Sequence, residues 1–285
     1  MPKKVTVIIP VYNEEQTIEK VISGIRALNK DYELIVVDDG STDQTPAILK
    51  NLNIKTISHQ RNIGYGAAIK TGIKNAEEEI IVLFDGDGQH DPKDIERLVR
   101  EINSCDVVIG ARARGSHIDL FRRPTKWLLS IFSNFITEYK IPDINSGLRA
   151  LRKKEILKML HLLPNGFSFS TTSTIAALKV GLNVTFIPIK GYKRKGKSSV
   201  DPIKDGIKTI MLIIRLVTLF SPLRIFLPMS ILIIGIGILY QIINIIQYGM
   251  HMVEGAILAI LVGVFTFFFG ILADQIAAMR REKYE

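Results

Sequence analysis

Two carboxylates one residue apart, in Asp85-Gly86-Asp87-Gly88-Gln89, follow a fully apolar run from Ile80 to Phe84. Side chains so placed can both reach one divalent cation. Oxygen ligands suit Mg2+ or Mn2+, ions commonly held by one or two carboxylates together with substrate phosphates. Such a cation offsets the charge that grows on a diphosphate leaving group. Alone the pattern is weak, because Asp and Gly are also common in turns. Two further clusters strengthen it: Pro10-Val11-Tyr12-Asn13-Glu14-Glu15 and Asp38-Asp39-Gly40-Ser41. Together they form an expected nucleotide pocket, with Tyr12 offering a ring edge to a base and the carboxylates accepting from ribose hydroxyls or base N–H groups. Asn13 is also placed to cap the first helix, and His90 either touches the site or flanks a helix at the surface.

These clusters need a frame that brings them to one edge. Val5 to Pro10, Leu34 to Val37, Ile54 to Ser58, Ile80 to Phe84 and Val107 to Gly110 read as strands. Helical spacing of apolar residues runs from Glu14 to Leu28, with further helices at Thr45 to Asn51, Tyr65 to Ala76 and from Pro92. The alternation predicts an α/β fold with a mostly parallel sheet covered on both faces. Ligands of such sheets bind beyond the carboxyl ends of the strands, where all three clusters fall. Leu120 to Leu178 reads as mainly helical with a break at Pro142 to Gly147. A last strand, Val184 to Ile189, precedes a basic loop, Lys190 to Ser199.

The first strand is followed by no glycine before Glu15, so it carries no G-x-G-x-x-G dinucleotide turn; Gly64-x-Gly66 follows a later strand, and no Walker-type phosphate loop occurs. Cys105 is the only cysteine. It excludes an intrachain disulfide and a cysteine zinc cluster and reads as a core residue.

The formal charge is +9, from 37 Lys and Arg against 28 Asp and Glu. Such an excess suits nucleic acid or an anionic membrane surface. Nucleic acid is not expected, since the basic residues lack a recognisable binding module and interleaved aromatics. Ile225 to Met250 and Gly255 to Ala273 contain no Asp, Glu, Lys or Arg. Each can cover a hydrocarbon layer of roughly 30 Å, which needs about 20 helical residues. The connecting loop, Tyr248 to Glu254, lacks Lys and Arg, whereas Arg215, Arg224, Arg280, Arg281 and Lys283 flank the spans. The positive-inside rule places both termini and the N-terminal domain in the cytoplasm, and no signal-peptide core opens the chain. Between domain and spans, Lys204, Lys208 and Arg215 alternate with Ile207, Ile210, Met211 and Ile214, as in a helix lying in the membrane surface. The expected organisation is a catalytic domain over 1–200, an amphipathic interfacial segment over 201–224, and a transmembrane hairpin with a cytosolic tail over 225–285.

The chain resembles glycosyltransferase family 2, in its dolichyl- or polyprenyl-phosphate mannose (or glucose) synthase-like branch. The resemblance rests on Val7-Ile8-Ile9-Pro10-Val11-Tyr12-Asn13-Glu14, Val36-Val37-Asp38-Asp39-Gly40-Ser41, Asp85-Gly86-Asp87-Gly88-Gln89-His90, Asp143-Ile144-Asn145-Ser146-Gly147-Leu148-Arg149 and Arg194-Lys195-Gly196-Lys197-Ser198. It covers about residues 4 to 200, and the C-terminal spans also resemble those of membrane-bound members. It implies a GT-A fold, a divalent metal (Mg2+ or Mn2+), a nucleotide-sugar donor, a polyprenyl phosphate acceptor and inversion at the anomeric carbon. Asp85, Asp87 and Gln89 would surround metal and diphosphate, with Asp85, Asp87 and Arg149 catalytic. Donor binding would fall to Pro10, Tyr12, Asn13, Glu14, Asp38, Asp39, Asp85, Asp87, Arg194 and Lys197. The acceptor phosphate would meet Arg112, Arg122 or Arg123, and Ser146. Relatives often read Ser-Arg where this chain has Ser130-Ile131, and Asn145 replaces a usual Gln or Gly.

A lipid monophosphate is largely a dianion at neutral pH. It needs no general base, only cations that hold two phosphates together. A glycan or lipid hydroxyl acceptor would need one, and Asp143 stays open for that role. A processive polysaccharide synthase would usually carry Gln-x-x-Arg-Trp, whereas the sole tryptophan, Trp127, follows Thr125-Lys126. A non-catalytic nucleotide-sugar-binding membrane protein is the further alternative, and a homo-oligomer is compatible with either. The sequence does not choose between GDP-mannose, UDP-glucose and UDP-GlcNAc.

Overall fold

The computed structural model describes residues 5–28, 31–112, 123–192 and 202–282. Two compact units emerge, residues 1–206 and 207–285.

The first unit is built on a seven-stranded sheet in the order β3-β2-β1-β4-β6-β5-β7. Strand β1 (Val5–Val11) is buried along its whole length. It lies between β2 (Glu33–Asp38) and β4 (Ile80–Leu83), both parallel to it. Continuous β-branched runs suit such central strands, which are covered on both faces. β3 (Lys55–Ser58) pairs parallel with β2 at one edge. At the other edge β5 (Val107–Arg112) pairs parallel with β7 (Val184–Ile189). The intervening helices are α1 (Ile18–Arg26), α2 (Thr45–Asn51), α3 (Tyr65–Asn75) and α4 (Lys93–Glu101). Ile18, Val21, Ile22 and Ile25 of α1 join Ile95, Leu98 and Val99 of α4 and Cys105 in a single apolar core with β1.

One expectation needs correction. The stretch read as mainly helical contains α5 (Arg123–Thr137), α6 (Lys153–Met159) and α7 (Phe169–Lys179), but also a strand, β6 (Arg149–Arg152). β6 runs antiparallel between β4 and β5, pairing Leu83 with Arg149 and Ile109 with Arg149. Arg-Ala-Leu-Arg has no β-branched residue and a charge at each end. Its two partner strands, not its propensity, make it a strand. Helix α1 also starts later than Glu14, since Glu14 to Thr17 form a turn whose carbonyl at Glu14 accepts the Ile18 N–H at 3.0 Å.

The second unit contains α9 (Leu223–Tyr248) and α10 (Glu254–Glu282), preceded by α8 (Pro202–Phe220). α9 and α10 are long and apolar enough to cross a membrane, with only 11 % and 17 % of their most apolar windows buried. They form a tight hairpin. A Cβ on Gly237 would sit 3.0 Å from the Ala256 carbonyl, and one on Gly263 would sit 3.1 Å from the Ser230 carbonyl. Small residues that let helix backbones approach this closely are the usual means of packing helices in lipid. Gln241 ties the turn, donating from Nε2 to the His251 carbonyl at 2.6 Å and accepting the Val253 N–H at 3.0 Å.

Candidate active site

β1, β2, β4 and β5 all point their carboxyl ends to one edge. Because β6 runs the other way, the segment leading into it, 143–148, reaches that same edge. The reversed strand thus adds a loop that an all-parallel sheet could not place there.

The first two clusters are knitted together. Asn13 donates its N–H to Ser41 Oγ at 2.9 Å, and its Oδ1 accepts the Thr42 N–H at 2.8 Å. The Glu14 N–H reaches Thr45 Oγ1 at 2.9 Å, and Glu15 Oε2 accepts the Gln44 N–H at 3.0 Å. Asn13 has φ of 55°, a left-handed conformation that Asn tolerates, and four residues separate it from the start of α1. It is therefore a loop clasp, not the helix cap. Tyr12 projects into solvent and Glu14 is half-buried.

Other expected donor contacts lie deeper. Pro10 is a buried position inside β1. Asp38 is buried, and its Oδ1 accepts the Ser41 N–H at 3.0 Å. Asp39 is bound within the fold: Oδ1 takes His59 Nδ1 at 2.7 Å and the Ile63 N–H at 3.0 Å, while Oδ2 takes the Gly64 N–H at 2.8 Å. With 3 % exposure it anchors the crossing from β3 to α3.

The carboxylates after β4 sit against the first loop. Thr17 donates from Oγ1 to the Gly86 carbonyl at 2.8 Å, and a Cβ on Gly86 would approach Val11 Cγ1 to 2.7 Å. Asp85 Oδ1 accepts the Tyr65 hydroxyl at 2.7 Å, and Oδ2 lies 3.6 Å from His90 Nε2. Burial pushes the Asp85 carboxyl up, but His90, the Tyr65 hydroxyl and the Arg149 charge outweigh it and hold the group below its ordinary range. Asp87 Oδ1 accepts the Gln89 N–H at 3.0 Å across Gly88, whose φ is 71°. Gln89 in turn holds the strand end of β7, its carbonyl accepting the Tyr192 N–H at 2.9 Å. His90 is buried, with its ring edge-on to Phe84.

Among the described residues no three His, Cys, Asp or Glu side chains converge as a closed metal cage. Two carboxylates at the sheet edge fit a hard divalent cation whose remaining positions are filled by substrate oxygens and water.

Arg112, at the end of β5, forms a forked pair with Asp143: Nε to Oδ2 at 2.6 Å and Nη2 to Oδ1 at 3.0 Å. The pairing raises Arg112 against the cost of burial, and Asp85 and Asp87 add to it, so this guanidinium stands in the field of the metal-type carboxylates. Burial pushes the Asp143 carboxyl up, but Arg112 outweighs it and holds it below the ordinary range. Arg122, Arg194 and Lys197, with the side chain of Arg123, lie outside the described residues.

Arg149 lies inside the fold beneath the 143–148 segment. It is 0 % exposed and donates from Nη1 to the Ser170 carbonyl at 3.1 Å and to Ser173 Oγ at 2.7 Å. Nη2 donates to the Ser146 carbonyl. Burial lowers it to about 10 while Tyr65, Asp85 and Asp143 push the other way, so it remains charged at neutral pH beneath the site. Ser146 is likewise buried. Arg149→Met should destabilise the fold by about 3 kcal/mol, because it strands buried oxygens of Ser146, Ser170 and Ser173. Urea denaturation checks this; Arg149→Lys, which cannot reproduce the fork, should recover only part.

Residues 6–160 match the family model described as Glycosyl transferase family 2. The chain belongs to glycosyl transferase family 2. Residues 221–279 match a second model, the GtrB C-terminal hairpin, which coincides with α9 and α10. A UDP-N-acetylglucosamine–dolichyl-phosphate N-acetylglucosaminyltransferase of Methanococcus voltae is 34 % identical over 216 residues, covering 66 % of this chain and 85 % of the relative. An undecaprenyl-phosphate 4-deoxy-4-formamido-L-arabinose transferase of Photorhabdus laumondii is 32 % identical over 168 residues, covering 55 % of this chain and about half, 52 %, of that relative. Glucosyl-3-phosphoglycerate synthase of Mycobacterium tuberculosis, solved with Mn2+, UDP and phosphoglyceric acid, superposes with a TM-score of 0.63 at 20 % identity, over 76 % of this chain and 78 % of that one. The same enzyme with Mg2+ and UDP gives 0.62 at 21 %. The first unit is therefore a GT-A-type α/β domain.

Within this family 2 domain, Tyr65 and Gly147 meet Asp85, contacts that the motifs did not reveal. Gly147 sat in a matched motif, yet only the fold shows that a Cβ there would overlap the Asp85 carboxylate. Tyr65 was visible as an aromatic between two glycines at a helix start, and that pattern was the available signal.

Proposed function

We propose that this chain is an inverting, membrane-bound hexosyltransferase that moves a sugar from a nucleotide-sugar to a polyprenyl phosphate. The observation that carries it is the pairing of Asp143 with Arg112. The carboxylate open to a base role is locked in a forked ion pair and held below its ordinary range, which makes it a poor proton acceptor. Asp85 and Asp87 remain at the same edge to serve a cation. That division suits an acceptor already anionic, as the acceptors in the two relatives' names are. It disfavours a hydroxyl acceptor activated by Asp143.

Asp85 and Asp87 would hold Mg2+ or Mn2+, as supported by the Mn2+ and Mg2+ complexes of the fold neighbour, and the ion would neutralise the departing diphosphate. Tyr12, Asn13, Glu14 and Asp38 would frame the nucleotide, and Gln89 would keep the metal-type loop against the end of β7. Arg112 would meet the acceptor phosphate while sharing its guanidinium with Asp143, a geometry that fixes the fork in place.

The spans α9 and α10 would insert the protein in the bilayer, with both termini and the catalytic domain on the cytoplasmic side. α8 exposes Ile207, Ile210, Met211 and Ile214, a stripe at helical spacing suited to the acyl boundary.

The test incubates membranes containing the protein with labelled UDP-GlcNAc, UDP-glucose or GDP-mannose and a polyprenyl phosphate, with and without Mn2+ or Mg2+. Label should enter the lipid fraction from one donor, only with metal. Label on water-soluble glycan instead would favour the hydroxyl-acceptor reading, and no turnover of any donor would favour a non-catalytic binder.

A further inference from the structure

Tyr65 lies outside every motif that carries the family assignment, yet its hydroxyl donates to Asp85 at 2.7 Å. Its own position is tightly determined. Gly64 has φ of 111°, a backbone that only glycine adopts freely, and a Cβ at either Gly64 or Gly66 would overlap carbonyls of the 164–166 segment. The Ala67 N–H donates to the Asn165 carbonyl at 3.0 Å, and Lys70 Nζ reaches the Leu163 carbonyl at 2.5 Å and Asn165 Oδ1 at 2.9 Å. The start of α3 is thus clamped to the loop before α7. From that loop Phe167 lays its ring on Tyr65, with centroids 5.7 Å apart and planes 11° from parallel, while remaining 86 % exposed. An aromatic so exposed contributes little to the core; it covers its neighbour. Beneath, Ser170 and the Arg149 charge lie close enough to act on the phenol.

We infer that Tyr65 is a positioning residue for transfer: its hydroxyl fixes the Asp85 carboxylate, and Phe167 shields that hydrogen bond from water. The inference rests on the reading of Asp85 as a diphosphate-metal carboxylate. A hydrogen bond to a charged group is strong when kept dry, and a carboxylate held in one rotamer needs no reordering when cation and diphosphate arrive. Water reaching the phenol would compete for the same oxygen, so the cover and the donor work as one unit.

The experiment compares wild type, Tyr65→Phe, Phe167→Ala and Phe167→Trp in detergent. One readout is Mn2+ binding by electron paramagnetic resonance titration without nucleotide; the other is turnover of the donor that wild type uses. Tyr65→Phe keeps the ring stack and loses only the hydroxyl. It should weaken Mn2+ several-fold and lower kcat at least about tenfold with KM within about twofold. Phe167→Ala should move both readouts the same way by less, with an unchanged melting temperature, and Phe167→Trp should restore them. Wild-type Mn2+ binding and kcat in Tyr65→Phe overturn the inference. So does a Phe167→Ala protein indistinguishable from wild type, a variant whose exposed site leaves folding intact even if Tyr65→Phe unfolds. A wild type that turns over no donor defeats the proposed reaction, and the Mn2+ titration still judges Tyr65.

Discussion

Asp87→Ala is expected to cut sugar transfer by about a thousandfold or more in kcat, the largest single effect predicted for this protein. Losing one of two metal-type carboxylates removes charge stabilisation that grows as the diphosphate departs, and several kcal/mol of such stabilisation corresponds to that factor. Asp87 Oδ1 accepts the Gln89 N–H at 3.0 Å in an Asx turn. Its loss should cost only about 1 kcal/mol of stability, so the variant should stay folded, with a melting temperature a few degrees lower. The measurement is initial rate of lipid-linked product at saturating donor, with Mn2+ titrated to high concentration. Asp87→Asn, which keeps the acceptor oxygen but not the charge, should restore the melting temperature and not the rate. Full activity in Asp87→Ala would remove the metal assignment.

Gly147→Ala should be nearly as damaging, for a reason of space and not of charge. A Cβ there would overlap the Asp85 carboxylate, with Cγ only 2.8 Å away. Something must yield. If Asp85 rotates, it leaves Tyr65 and His90; if the 143–148 segment withdraws, Asp143 shifts from Arg112. Either displacement spoils the site, and overpacking typically costs about 1–3 kcal/mol besides. The expected result is a drop in kcat of about a hundredfold, since misplacement by about 1 Å can cost that much. Thermal unfolding and initial rates on one preparation check both halves. Wild-type rates in Gly147→Ala would show that Asp85 moves aside harmlessly and is not held where transfer needs it.

Much of this architecture is local and therefore legible. Val5 to Pro10, Leu34 to Val37 and Ile80 to Phe84 are mostly apolar runs rich in β-branched residues, and they became the central strands β1, β2 and β4. Ile18, Val21, Ile22 and Ile25 repeat at helical spacing and form the buried face of α1. The two charge-free stretches became α9 and α10, and the family motifs agreed with the family model that covers 6–160. Runs, periods and motifs are properties of neighbours along the chain, so residue order determined them.

Partnership was decided elsewhere. Arg149 and Arg112 are both arginines in or beside matched motifs, yet one is buried under the sheet edge and the other is forked to Asp143 at its rim. Asp38 and Asp39 are adjacent identical side chains, but only Asp39 has both oxygens taken up by the His59 to Gly64 crossing. β6 has a strand's conformation because β4 and β5 flank it, and its reversed direction delivers Gly147 onto Asp85. Tyr65 meets Asp85 across 20 residues, and Arg112 meets Asp143 across 31. What a side chain can do was written in its type; whom it does it with depended on burial and hydrogen bonding between distant segments, which exist only once the sheet has closed.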